Sequence, residues 1–292
     1  MKGCRFILLK LLTFLLIFNS GITAAESEKA TKGEVTLVYV EWSSEIASTN
    51  VVKTVLEELG YKVEMLSVSA AAMWQAVASG DADAHVAAWL PSTHAHYFAA
   101  VKDKVEDLGP NLEGTKIGLV VPAYVTINSI EELNANVDKF QGKIIGIDPG
   151  AGLMSKTEMA IKEYHLDQFK LIEGSGATMA AALKEAIRNH QWIVVTGWTP
   201  HWKFSRWQLK YLEDPKKIYG DEEYIGTIVR KKLQADMPEV YNFLDNFHWT
   251  AADMEQLMIW NEEPNTTPEA NAKRWVNDNR DKVAKWLSFK KK

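Results

Sequence analysis

EVTLVYVEWSSEIASTNVVKTVLEELGYKVEMLSV, residues 34–68, changes its hydrophobic period twice. It opens on a β-rich run, EVTLVYV. The segment from Glu45 to Leu59 then sets Val52, Val55, Leu56 and Leu59 on one helical face, and YKVEMLSV returns to a β-rich run. Gly60 supplies a left-handed stop for the helix. Strand, helix and strand in so short a span predict an α/β architecture with mainly parallel strands.

The pattern continues outward. A helix is expected from about Ala70 to Ser79, ending at Gly80, and ADAHVAAWLP follows as an extended run. Farther on, GKIIGIDPG, FKLIEG and QWIVVTGW read as strands. They are separated by a helix running to about Tyr164, opened by a Ser155/Glu158 capping box, and by a helix over Met179–Arg188. Residues 35–93 and 143–201 thus share one order of elements, and each ends on Trp-x-Pro. We read this as a duplicated unit and expect two lobes, 33–121 plus 226–288 and 122–225. The segment from Gly226 holds three candidate helices that pack back onto the first lobe. Ligands of open α/β sheets lie at the carboxyl ends of strands, where both Trp-x-Pro corners fall.

With 292 residues and 47% hydrophobic side chains the chain can bury a large core. Residues 1–25 read as an export signal: Lys2, Arg5 and Lys10 precede the apolar LLTFLLIF and a small-residue cleavage region near Ala24 or Ala25. That run is shorter than the roughly 20 residues of a membrane helix. The single cysteine, Cys4, lies upstream of the apolar core, so the exported chain is expected to carry no disulfide and no lipid anchor. Removing 1–25 leaves 30 basic against 38 acidic residues, a net of −8, which argues against nucleic acid or anionic membrane as partner.

Eleven tryptophans demand an account. Trp192, Trp207, Trp249, Trp260, Trp275 and Trp286 read as core or interface anchors. Trp42 in VEWSSE, Trp89 in AAWLPS and Trp198 in TGWTPH differ, because they end strands beside turn residues. Converging indole faces suit a quaternary ammonium best, since it has no N–H to donate and is held by ring quadrupoles and dispersion. Sugar stacking would bring more Asp, Asn and Arg to the strand ends.

The loop DPGAGLMSKT, residues 148–157, is one letter from a phosphate loop, with Ser155 in place of the second glycine. An exported chain meets little nucleotide, and no strand-end acid reads as a magnesium ligand. What remains is a Gly-rich turn whose amides, around Gly152 and Leu153, face outward at a helix start and suit a carboxylate. His94 is a candidate third donor to that carboxylate. His85, His94 and His96 lack the partners of a metal site, so no metal or cofactor is expected. No thiol nucleophile, G-x-S-x-G or His-Glu-x-x-His is present, so we expect no enzymatic activity.

YVEWSSEIASTNVVKTVLEELGY, MWQAVASGDADAHVAAWLPSTH, KIGLVVP, GIDPGAGLMSKTEMAIKEY and GWTPHWKFSRWQLKYLEDPK closely resemble the glycine betaine-binding proteins of bacterial ABC importers, over nearly all of the exported chain. The resemblance implies a two-lobed type II periplasmic binding protein fold with the ligand between the lobes. It also implies an aromatic box of Trp42, Trp89 and Trp198 around a trimethylammonium group, and a carboxylate held by the Gly152 and Leu153 amides and His94. The expected partners are glycine betaine or a close methylated zwitterion, and a membrane permease with its cytoplasmic ATPase. The expected setting is the periplasm, with osmoprotection as the use. Some relatives carry the two halves in the opposite chain order, and many Gram-positive relatives are lipoproteins. A choline or carnitine receptor of the same fold is the alternative.

Overall fold

A computed structural model describes residues 31–288; the expected export signal, 1–25, lies outside them. The first unit runs β1 (Glu34–Tyr39), α1 (Ser43–Glu58), β2 (Lys62–Ser67), α2 (Ala70–Ser79) and β3 (Ala84–Leu90), followed by α3 (Ala95–Val101) and the long β4 (Val105–Pro122). After two 3-10 turns the second unit runs β5 (Lys143–Ile145), α4 (Gly152–Glu163), β6 (Lys170–Ile172), α5 (Gly176–Arg188) and β7 (Val195–Thr199). Then come α6 (Trp202–Arg206), β8 (Leu209–Tyr211), β9 (Glu223–Arg230), α7 (Leu233–Asp236), α8 (Pro238–Asn246), α9 (Ala251–Asn261), α10 (Pro268–Asp278) and α11 (Arg280–Trp286).

Both units follow the same order of elements, and the sheet path β2-β1-β3-β9-β4-β7-β5-β6 shows that they also share one topology. In each, the first strand lies between the second and third and pairs with both in parallel. The right-handed crossover rule for parallel strands explains why one strand–helix order yields one layout twice. The connection between the units is antiparallel: β9 pairs with β3 and β4, and β4 with β7 and β8. β4 changes partner along its length, facing β9 up to Thr115 and β7 from Lys116 onward.

Helix boundaries depart from the sequence reading in four places: α5 begins at Gly176 rather than Met179, capped by Ser175, and the first C-terminal helix divides at Met237 into α7 and α8; the other two have a visible cause. The helix expected to open at a Ser155/Glu158 box begins at Gly152, with Ala151 as its cap. The Ala151 carbonyl already accepts the amides of Met154 and Ser155, so the first turn closes three residues earlier. The third C-terminal helix divides at Asn279, whose backbone leaves helical geometry and whose side-chain amide donates to the Trp275 carbonyl at 2.9 Å.

Trp249, Trp275 and Trp286 are buried as expected: Trp275 stacks on Trp286 at 5.9 Å and meets Trp249 edge-on at 5.7 Å. Trp192, Trp207 and Trp260 are only half-buried, with Lys139 over Trp192 at 4.3 Å and Arg274 over Trp260 at 3.9 Å. No helix among the described residues is long and apolar enough to cross a membrane.

Asp83 ties β1, β3 and β9 together. One of its oxygens accepts the Thr36 amide at 2.8 Å and the other the Arg230 guanidinium at 2.7 Å, with both charged side chains largely buried. Arg230 also reaches Asp236, at 2.6 Å, so removing Asp83 orphans the Thr36 amide and leaves the guanidinium paired. Asp83→Ala is expected to lower unfolding free energy by about 1 to 3 kcal/mol in urea titrations; a loss below about 0.5 kcal/mol would deny Asp83 this role.

Candidate functional site

Strand β3 ends on Trp89 and Leu90 and β7 on Trp198 and Thr199, and each runs directly into a cis-proline corner, Leu90–Pro91 and Thr199–Pro200. Trp42 caps the amino end of α1, just past β1, and Ala151 caps α4 in the equivalent place of the second unit. The shared topology therefore delivers four segments to the carboxyl ends of four strands.

There they enclose a pocket lined by Trp42, Trp89, Trp198, Gly152 and Leu153, together with Ser44, Thr93, Ile117, Ile147 and Ala151. All three indoles are buried. The ring neighbours of Trp42 and Trp198 are histidines, His94 at 5.9 Å and His201 at 4.5 Å, which leaves indole surface facing the pocket.

Two of the indole N–H groups are held by carboxylates. Trp42 Nε1 donates to both oxygens of Asp148, at 2.9 and 3.1 Å, and Trp89 Nε1 donates to Glu45 Oε1 at 2.9 Å. Trp198 Nε1 is buried with no partner among the described residues. Against that ring sits Lys203, fully buried, with Nζ 4.3 Å from the ring centre and no hydrogen-bond partner among the described residues. Burial pushes its amine well below the ordinary lysine range, toward the neutral form.

The opposite wall is backbone. Met154 and Ser155 bond back to Ala151, and the two amides before them, on Gly152 and Leu153, have no acceptor among the described residues. They form the free amino end of a helix of 12 residues, an anion-binding arrangement. Glycine is required at 152, because a Cβ there would lie 2.2 Å from the Thr93 carbonyl oxygen. The Thr93 corner is itself pinned, its amide donating to Glu223 Oε1 at 2.8 Å. Tyr97 adds a hydroxyl bond to the Gly150 carbonyl at 2.6 Å.

His94 is placed differently from the other five expected residues. It is buried but lies off the pocket wall, against Trp42 and, at 6.0 Å, Trp74. Its Nδ1 accepts the Trp89 amide at 3.2 Å, which puts the ring proton on Nε2. Burial, with a smaller effect from His96, pushes its pKa down to about 3, so the ring is neutral at physiological pH.

Sequence reading missed Glu45, Asp148 and Lys203. An acid in the first turn of a helix is ordinary, and only tertiary packing reveals that Glu45 is fully buried. Asp148 stands at a strand end, where no metal-binding acid was expected, and it is engaged by an indole.

Burial pushes the Glu45 carboxyl up to about 7, opposed by hydrogen bonds from Ser44 and Trp89 and assisted by the charge of Asp148. The folded protein then keeps this proton up to about pH 7, whereas the unfolded chain releases it near 4.5. Fewer protons on the unfolded state mean that stability falls as pH rises through that window, by about 3 kcal/mol in all. Glu45→Gln preserves an oxygen for Trp89 and removes the charge. It is expected to flatten that slope and to raise stability at pH 8 by up to about 3 kcal/mol in denaturant titrations; an unchanged slope would locate the ionisation elsewhere.

Comparison with known proteins places residues 33–278 within the model of a family described as the substrate-binding domain of the ABC-type glycine betaine transport system. The glycine betaine/carnitine transport binding protein GbuC of Listeria monocytogenes is 51% identical over 145 residues, covering 49% of this chain and 48% of that protein. The match therefore spans about half the length of that curated relative. Among solved structures, lactococcal OpuAC in its closed-liganded conformation complexed with glycine betaine is 45% identical, covering 88% of this chain and 100% of that one, with a TM-score of 0.84. The glycine betaine/L-proline-binding protein ProX of Borrelia burgdorferi is 41% identical over 87% of this chain and 97% of its own, with a TM-score of 0.85.

Proposed function

We infer the function from membership: this chain belongs to the family of substrate-binding domains of ABC-type glycine betaine transport systems. It is a non-enzymatic binding protein with an α/β periplasmic binding protein fold. We propose that it captures glycine betaine, or a close methylated zwitterion such as proline betaine, and hands it to a membrane permease driven by a cytoplasmic ATPase. We further propose that it works outside the cytoplasm, in the periplasm and without a lipid anchor, for osmoprotective uptake.

The observation that carries the reading is the pocket wall. Three indoles bound the pocket, and the N–H groups of two of them, Trp42 and Trp89, are already spent on carboxylates. A ligand with donors would leave them unpaired there, at a cost of about 1 to 3 kcal/mol each. A trimethylammonium group has none, and each ring face adds about 0.5 to 2 kcal/mol of attraction.

The other end of the ligand is assigned to the Gly152 and Leu153 amides, which hold a carboxylate. His94 completes this clamp through Nε2–H, the donor left after Nδ1 accepts from Trp89. The lobes proposed are 33–121 plus 226–288 and 122–225. The change of partner within β4 supports that division.

Calorimetric titration tests both halves of the site. Glycine betaine should bind at least about tenfold more tightly than choline, which keeps the cation and lacks the carboxylate, a gap of about 1.4 kcal/mol. Trp42→Ala, Trp89→Ala and Trp198→Ala should each weaken glycine betaine without unfolding the protein. Unchanged affinity in all three would remove the box. His94→Ala should weaken glycine betaine and leave choline unaltered, and equal loss for both ligands would take His94 out of the clamp. Choline binding as tightly as glycine betaine would turn the reading into a choline receptor.

A further inference from the structure

We propose that Glu45 and Asp148, the carboxylates that receive the N–H groups of Trp89 and Trp42, make the box choose a cation over a neutral group of the same shape. The proposal rests on the quaternary-ammonium reading of the pocket and deepens it.

Satisfying an indole N–H needs only a neutral acceptor; a glutamine, an asparagine or a backbone carbonyl would do. The chain instead sets a fully buried carboxylate, Glu45, behind Trp89 and a half-buried one, Asp148, behind Trp42, the more expensive choice, since withdrawing a charge from water costs free energy in the absence of a counter-ion. Nor does the protein supply one. Among the described residues neither Glu45 nor Asp148 forms a salt bridge, although twelve such pairs exist elsewhere. The one fully buried amine among the described residues, Lys203, lies against the third indole, the one with no carboxylate on its N–H. Above about pH 7 negative charge thus backs both Trp42 and Trp89, and the complementary positive charge has to arrive with the ligand.

Shape and dispersion cannot make this choice. The carbon isostere of glycine betaine, 3,3-dimethylbutanoate, presents a tert-butyl group of nearly the same volume and the same carboxylate. Only charge separates the two compounds. The indole quadrupoles read that charge, and the two carboxylates add a field that polarised rings alone lack.

The test is a set of titrations at pH 8, above the value of about 7 to which burial holds Glu45. Glycine betaine and 3,3-dimethylbutanoate are each titrated into the wild-type protein, Glu45→Gln and Asp148→Asn. Both substitutions keep an oxygen for the indole N–H. Wild type should prefer glycine betaine strongly, and each variant should lose about tenfold of that preference, the scale of one screened charge pair. The loss should fall on glycine betaine, with the isostere unchanged or tighter. Glu45→Gln is expected to be at least as stable as wild type, so unfolding would not imitate this result, and a melting curve for each variant confirms it. Variants that weaken both ligands equally, or that keep the wild-type ratio, overturn the assignment and leave the carboxylates as scaffolding. Wild type that binds neither compound overturns the receptor reading, and this proposal with it.

Discussion

An indole that offers its face to a cavity has to hide its N–H, and a hidden N–H is costly unless an acceptor meets it. Much of this site follows from that constraint. Trp42 and Trp89 turn their N–H groups onto Asp148 and Glu45, and the rings are thereby fixed with their carbon surfaces toward the pocket. The cost reappears as a Glu45 carboxyl whose pKa burial raises to about 7, a stability penalty carried by the folded state. Such penalties concentrate where function requires a poised group.

The duplicated layout explains how these residues meet. Each unit places its first strand centrally and sends the next helix from that strand's carboxyl end. In the first unit the helix starts with an aromatic wall, Trp42; in the second it starts with two free amides, Gly152 and Leu153. The third strands contribute Trp89 and Trp198 at matching corners. One architecture, used twice, thus presents an aromatic wall from one helix start and a pair of free amides from the other. The Thr93 corner, just past Trp89, packs against Gly152, so the aromatic wall and the free amides line one pocket.

The units themselves were legible in sequence because a switch between periods of 2 and 3.6 is a local signal. Strand β4 was largely hidden: it contains Gly109, Pro110 and Gly114, which read as turns, and its register against β9 shifts around them. Its identity depends on partners more than a hundred residues away. Trp42, Trp89 and Trp198 were visible because a large indole beside turn residues is unusual at a strand end. Glu45 was invisible because the letter at a helix start is commonplace, and the burial that changes its chemistry comes from Trp89, 44 residues on. The break at Asn279 was hidden for a similar reason, since it depends on one side-chain bond to Trp275.

The account stands on the orientation of the ligand, and a crystal structure of this protein grown with glycine betaine tests it most directly. The account predicts the ammonium nitrogen within about 6 Å of the ring centres of Trp42, Trp89 and Trp198, and the carboxylate on the amides of Gly152 and Leu153. A ligand bound the other way round, or lodged outside the three indoles, would contradict it.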